Sequence, residues 1–234
     1  MHYFKEHPSS GFTDYEHYFM CLQCGEEVCL LFNPTVGKPG YRRENENCAL
    51  PVFDEVNYNM LPDSWYHILN TNDPLERGVP CYAFKYFKET VDGIFGEFQD
   101  ISSAENGTMS LNEVIPFRWY QNGTSITRYD TRFESLWLNG AKHNGADEHV
   151  LEEIRYAYEH RMSCFTDYEH YFMCLQCGEE GPKHAWVYSH NPHPAAEDIL
   201  RVHNKLVTIG GGWSAFPLYL SGCHKFSMPE TIAY

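Results

Sequence analysis

The stretch FTDYEHYFMCLQCGEE occupies residues 12–27 and occurs a second time, letter for letter, at residues 165–180. Identity over the whole stretch is far beyond chance. Two copies this far apart are too few, and too widely spaced, for a solenoid or a propeller. The repeat therefore indicates a duplicated element inside a larger fold.

Each copy has the pattern of a β-hairpin. In the first copy, residues 18–22 form a β-prone run, Cys24-Gly25 turns the chain, and residues 28–32 form a short apolar return strand. In the second copy the return strand is predicted over residues 185–189. The two hairpins lie near opposite ends of the chain.

The rest of the chain predicts further hairpins and two main helices. The dipeptides Asp92-Gly93 and Asn122-Gly123 are hairpin turn signals between β-prone runs. Apolar residues at helical spacing, with acidic residues near the start, indicate the helices. The predicted strands cover residues 82–91, 94–101, 114–121, 124–130 and 133–138, and the predicted helices cover 146–162, 194–206 and, more briefly, 63–69.

These elements predict a single domain over residues 1–234 with an α+β fold. Its antiparallel, β-rich sheet is built from hairpins, it carries two main helices, and the duplicated hairpins lie near both ends. No stretch has the composition of a linker between domains.

The charge balance excludes two classes of partner. The chain has 17 Lys and Arg against 32 Asp and Glu, a net charge of −15. Nucleic-acid phosphates and anionic membrane surfaces both attract basic proteins and repel acidic ones. The sequence therefore predicts no nucleic acid and no membrane among its partners.

Nine cysteines are present, and the residues after Met1 lack the basic start and apolar stretch of a signal peptide. The sequence therefore predicts a cytoplasmic protein with reduced thiols that are available as metal ligands.

Two Cys-x-x-Cys-Gly motifs point to metal. Cys21 and Cys24 lie in the first copy of the repeat, and Cys174 and Cys177 in the second. Each motif resembles the zinc knuckle of zinc-ribbon and treble-clef proteins, in which two thiolates on a tight turn bind one zinc. The resemblance implies a structural Zn²⁺, with these four cysteines as one shared, closed site.

Two alternatives to the shared site stay open. The second knuckle has the spacing to use His190 and His193 instead, and the first knuckle then needs Cys29 or Cys48. In the other alternative there is no metal, and the cysteines pack as small apolar core residues.

A group of histidines near one another in the sequence is the basis for an alternative hypothesis, that the protein is an enzyme. His184, His190 and His193 lie close together along the chain. Three histidines around a metal with an open position would activate a bound water. Motifs of the common hydrolases and nucleotide-binding proteins are absent. The sequence leaves open whether the protein is an enzyme.

Aromatic residues make up 16% of the chain, and Tyr is the most frequent of them. Alternation places Tyr82, Phe84 and Tyr86 on one strand face, and Phe117 and Trp119 on another; both faces are predicted to be core. A surface that is acidic and rich in tyrosine suits a basic protein partner. The sequence thus predicts an acidic, zinc-stabilised binding protein that docks on, and inhibits, a basic protein. The alternative is a metal-dependent hydrolase similar to treble-clef nucleases, using the histidine cluster.

Overall fold

The computed structural model describes residues 48–71, 79–103, 109–123, 125–128, 131–143, 145–178 and 183–226, together with strands at 21–24 and 29–32. For residues 21–24, 29–32, 103, 109–110 and 131–133 it describes the backbone alone. In the described part of the chain, no helix is both long enough and apolar enough to cross a membrane.

Eleven strands and three α-helices make up the described structure. The strands are β1 (Cys21–Cys24), β2 (Cys29–Phe32), β3 (Ser64–Asn70), β4 (Tyr82–Thr90), β5 (Gly93–Ser103), β6 (Met109–Asn122), β7 (Ser125–Arg128), β8 (Met162–Thr166), β9 (Phe172–Cys177), β10 (Lys183–Ser189) and β11 (Tyr219–Leu220). The helices are α1 (Thr131–His143), α2 (Glu148–Glu159) and α3 (Ala196–Ile209).

Strands β3 to β10 close into an antiparallel barrel. Each strand pairs with the next along the chain, and β10 pairs back onto β3, with Trp186 opposite Asn70 and Ser189 opposite Tyr66. The short β11 extends the pairing at the end of β3, and β1 and β2 form a separate hairpin. The predicted α+β fold, with a hairpin-built sheet and two main helices, is therefore wrong: the strands close into a barrel that carries three helices. Closure removes the sheet edges that an open sheet leaves unpaired.

Alternation along the strands divides the apolar residues into an inner and an outer cluster. On β10, Trp186 and Tyr188 belong to the inner cluster, whereas Ala185 and Val187 belong to the outer one. Successive side chains of a strand point to opposite faces, so one strand supplies both clusters. The inner cluster fills the barrel, and the outer cluster lies between the barrel wall and α3.

The three helices hold different positions on the barrel. Helices α1 and α2 connect the end of β7 to the start of β8, and Trp137 of α1 joins the inner cluster. Helix α3 packs on the outer wall through Ile199, Val202 and Leu206. The barrel thus has helices closing one end and a third helix on its side.

Several predicted elements are confirmed, although the predicted fold is not. Helices α2 and α3 match the predicted 146–162 and 194–206, and both dipeptide turns join antiparallel strands. Gly93 and Gly123 have positive φ angles of 127° and 59°, which favour glycine in these turns. The duplicated segment forms hairpins in both copies, β1 with β2 and β9 with β10.

Two predicted elements are wrong in type. Residues 63–69, predicted as a helix, form strand β3, and residues 133–138, predicted as a strand, lie in α1. Strand β3 is buried on both faces because the barrel interior and the outer cluster cover it. A run that is apolar on both faces lacks the alternation that distinguishes a strand from a buried helix.

Three disulfides cross-link the described part of the chain, two of them between segments more than 100 residues apart. Cys48 bonds to Cys177, Cys81 to Cys223, and the cross-strand pair Cys164 and Cys174 joins β8 to β9. Six of the nine cysteines are therefore oxidised, so the prediction of reduced thiols is wrong for them. The cytoplasmic location, which no observation tests, stays a prediction.

Candidate functional site

The predicted zinc site does not form. Cys174 is bonded to Cys164, and Cys177 is bonded to Cys48, so neither sulfur is a free thiolate. Both residues also lie in the extended strand β9 rather than on a tight turn. Residues three apart in a strand point to opposite faces, and hence cannot reach one metal.

The first knuckle lies in strand β1, and the side chains of Cys21 and Cys24 are outside the described residues. Among the residues that are described, no three His, Cys, Asp or Glu side chains lie close enough to hold a metal ion. The predictions of a Zn²⁺ cofactor and of a zinc-stabilised binding protein are therefore wrong.

The three candidate catalytic histidines occupy separate surroundings. His184 lies near the start of β10, where burial lowers its pKa to about 4. His190 follows the end of the same strand, with Nδ1 2.7 Å from the Ser64 carbonyl oxygen and its ring 4.0 Å from Trp65. His193 is exposed. Six residues of extended strand separate the first two by about 20 Å, so the cluster predicted from the sequence is not a site.

The strongest candidate site is a cavity inside the barrel, at the end where α1 and α2 lie. Its volume is about 20 Å³, which is roughly enough for one water molecule. Its walls come from β4, β6, β7, β8, β10 and both helices, and are largely aromatic. The lining residues are Tyr82, Phe84, Trp119, Arg128, Trp137, Tyr158, Met162, Trp186 and Tyr188.

Among the described residues that line the cavity, Arg128 alone carries a charge. It shares a face of β7 with the buried Ile126 and pairs with Trp119 across the β6–β7 ladder. Its guanidinium donates to the Ala157 carbonyl at 2.7 Å and to the Met162 sulfur at 3.1 Å. Because a carbonyl and a weakly accepting thioether are both neutral, neither balances the charge of the arginine.

Aromatic rings hold the guanidinium in place. Its central carbon lies 5.5 Å from the ring centroid of Tyr158 and 5.5 Å from that of Trp186, both within the range of cation–π attraction. Tyr158 belongs to α2 and Trp186 to β10. The arginine is therefore clamped between the helix cap and the barrel wall.

Two further donors line the cavity. The indole Nε1 atoms of Trp119 and Trp186 are buried and have no hydrogen-bond partner among the described residues. A buried donor without an acceptor costs about 1–3 kcal/mol. The hydroxyls of Tyr82 and Tyr188 lie 3.2 Å apart and bond to each other. The polar character of the cavity wall is thus dominated by donors.

His67 lies behind the two tyrosines, fully buried in the barrel. Its ring stacks on Tyr82 at 4.6 Å and lies 5.6 Å from Tyr188. Burial lowers the pKa of His67 to about 3, and the Leu69 backbone offsets this only in part. The histidine is therefore neutral at pH 7, and the positive charge within the described lining of the cavity comes from Arg128.

Trp137 closes the cavity from the helix side. Its ring lies 5.5 Å from Tyr82 and 4.7 Å from Phe98, inside the barrel. The Trp137 side chain thus occupies space inside the barrel that a ligand larger than water would need.

Sequence analysis missed Arg128, Trp137 and His67 as site residues. A signal existed for Arg128, because it follows Ile126 at a spacing of two and thus lies on the apolar face of a predicted strand. None existed for Trp137, whose segment was predicted as a strand, or for His67, whose segment was predicted as a helix.

Neither the protein-family models nor the curated proteins give a match to this sequence. Among solved structures, the cockroach major allergen Per a 4 aligns with a TM-score of 0.42 and 12% identity, over 70% of this chain and 88% of that one. Japanin from Rhipicephalus appendiculatus, solved with bound cholesterol, gives a TM-score of 0.41 and 8% identity, over 64% and 90%. The fold assigned here depends on the strand pairing of this chain alone.

Proposed function

We propose that the protein binds a small ligand inside its barrel, in the cavity beneath α1 and α2. The observation that carries the proposal is an aromatic cavity that contains an arginine bonded only to neutral acceptors and two buried indole donors without an acceptor among the described residues. Native proteins leave few buried donors unsatisfied, and an exception of this kind calls for a partner. A ligand with acceptor atoms supplies one.

The architecture supports the same function. Closed barrels of eight strands have an interior wide enough for either packed side chains or one small molecule. Here aromatic and aliphatic side chains of the described residues pack the interior, and the cavity lies at the helix-capped end. Binding therefore takes place at that end, and Trp137 is the side chain that a ligand displaces.

The disulfides support an oxidising compartment as the place of action. The prediction of a basic protein partner came from the negative net charge and the tyrosine content of the chain, and it stays an untested prediction beside this proposal.

Calorimetric titration with phenol, a neutral single-ring probe, tests the function. We expect saturable binding to the wild-type protein. The variant Trp137→Ala is expected to bind phenol more tightly, by about tenfold or more, because no side chain has to be displaced.

The matched control is Trp213→Ala. Trp213 is as buried as Trp137 but belongs to the outer cluster, outside the barrel. Both variants lose a core tryptophan, so both lose stability, but only the first enlarges the cavity. The proposal is overturned if phenol binds to neither the wild type nor Trp137→Ala, or if both variants bind it equally.

A further inference from the structure

The ligand class follows from the donors around the cavity, if the proposed function holds. The Arg128 guanidinium and the indole N–H groups of Trp119 and Trp186 all donate, and no Asp or Glu is among the described residues that line the cavity. We propose that the cavity binds a small aromatic carboxylate, with its carboxylate on Arg128 and its ring among the aromatic walls.

The charge of Arg128 is the first reason for an anion. Its two bonded acceptors, the Ala157 carbonyl and the Met162 sulfur, are both neutral. Arginine has five N–H donors in a fixed fork that matches the two oxygens of a carboxylate. An anion in this aromatic-lined cavity forms a hydrogen bond in which both partners are charged, which a neutral molecule does not.

The indole donors are the second reason. The buried Nε1 atoms of Trp119 and Trp186 have no acceptor within the described structure. Trp119 lies directly across the ladder from Arg128, and the ring of Trp186 contacts its guanidinium. A carboxylate oxygen bound to the arginine is therefore close to both indoles, and a cationic ligand would meet donors only.

The aromatic walls of the cavity favour a flat ring for the part of the ligand that does not contact Arg128. Aromatic faces surround the cavity on the strand side and on the helix side. Flat rings stack on such faces with about 0.5–1.5 kcal/mol beyond the burial of their area. The cavity volume of about 20 Å³ holds roughly one water molecule, so a ring binds only in the space that Trp137 vacates, which favours a single-ring ligand.

Three isosteric probes separate charge from shape: benzoate, benzamide and benzamidine, which are anionic, neutral and cationic at pH 7. We expect calorimetry on the wild-type protein to show that benzoate binds about tenfold or more tightly than benzamide, because hydrogen bonds to charged groups are stronger. Benzamidine is expected to bind most weakly of the three.

The variant Arg128→Met keeps the aliphatic stem and removes the charge. We expect it to bind benzoate no more tightly than benzamide, with a circular dichroism spectrum like that of the wild type. Arg128→Lys keeps the charge but loses the fork, so part of the preference for benzoate is expected to remain.

The outcomes separate this inference from the proposed function. Equal binding of benzoate and benzamide, or tightest binding of benzamidine, overturns the carboxylate ligand while phenol binding still supports a small-ligand barrel. The inference also fails if Arg128→Met retains the full preference for benzoate. If neither phenol nor any of the three probes binds, both proposals fall.

Discussion

His67 shows how one buried residue links the stability of this protein to pH. Burial holds its pKa near 3 in the folded protein, whereas the ordinary value is 6.5. As pH falls through 6.5, the unfolded chain binds a proton at this position and the folded protein does not. Stability that is fully present above pH 6.5 is therefore lost as pH falls towards 3. His184, with a pKa near 4, acts in the same direction.

We predict that His67→Phe weakens the acid dependence of stability. Urea denaturation between pH 6 and pH 5, where most carboxylates stay ionised, measures the free energy of unfolding. Its slope against pH is expected to fall by up to about 1.4 kcal/mol per pH unit, the contribution of one proton. The exposed His193→Phe serves as control and should leave the slope unchanged. An unchanged slope in His67→Phe contradicts the assignment.

On strand β4, the alternation of apolar residues predicts burial correctly at the first positions and fails further along the strand. The alternation predicted Tyr82, Phe84 and Tyr86 on one core face, and the first two are buried in the barrel. Tyr86 is 55% exposed, because a bulge between Lys85 and Lys88 shifts the register. Phe87 takes the inward position instead. A bulge depends on the partner strand, and hence is hidden from the pattern of one strand.

At the scale of elements, the hairpin turns were the most predictable feature. Both Asp-Gly and Asn-Gly dipeptides lie at turns between antiparallel strands, as their glycines require. The two glycines nevertheless differ in their surroundings. A Cβ atom on Gly93 would lie 2.6 Å from the Trp119 carbonyl oxygen, whereas one on Gly123 would meet no atom within 4 Å.

We therefore predict unequal costs for two alanine substitutions. Gly123→Ala is expected to cost about 1–2 kcal/mol of unfolding free energy, from its positive φ alone. Gly93→Ala adds a backbone clash in the β5–β6 ladder and is expected to cost clearly more. Denaturant titration of both variants measures the difference. Equal losses would show that the β5–β6 ladder relaxes around the added methyl group.

The repeat shows the limit of motif reasoning for an element. Its Cys-Leu-Gln-Cys sequence has the residue spacing of a zinc knuckle, but in the second copy these residues form an extended strand. Gln176, between the cysteines, is buried and donates to the carbonyls of Ala157 and His160 at 2.8 and 2.7 Å. The motif thus anchors β9 to the end of α2. Its role depends on contacts made far away in the sequence.

At the scale of the whole molecule, closure of the barrel was the feature that the sequence did not reveal. The pairing of β10 with β3 joins segments more than 100 residues apart. Local periodicity identifies strands but carries no information on whether the first and last of them meet. The ligand cavity exists only because they do, so its residues could not be grouped in advance.

Disulfides affect the stability of the whole molecule, and we predict that two of them contribute different amounts to the free energy of unfolding. Cys81 and Cys223 are 142 residues apart, whereas Cys164 and Cys174 are 10 apart, and all four are buried. In the chain-entropy view, a cross-link that closes a longer loop stabilises more, about 5 kcal/mol against about 3 kcal/mol here.

Replacing each pair by alanine tests this difference. The Cys81→Ala/Cys223→Ala variant is expected to unfold at lower denaturant concentration than the Cys164→Ala/Cys174→Ala variant. Because the four cysteines are equally buried, the cavities left behind are similar and largely cancel in the comparison. The reverse order would mean that local strain or packing, and not loop length, governs the stabilisation.

The central claim is that a ligand enters the barrel beneath α1 and α2, and the five tryptophans of the chain report on it directly. Trp119, Trp137 and Trp186 line the cavity, whereas Trp65 and Trp213 do not. The decisive measurement is a titration with phenol that follows the indole N–H signals of ¹⁵N-labelled protein by NMR. We predict that the three cavity signals shift in a saturable way and that the Trp213 signal on the outer wall stays in place. Shifts confined to Trp213, or no shift in any cavity tryptophan, would contradict a ligand site inside the barrel.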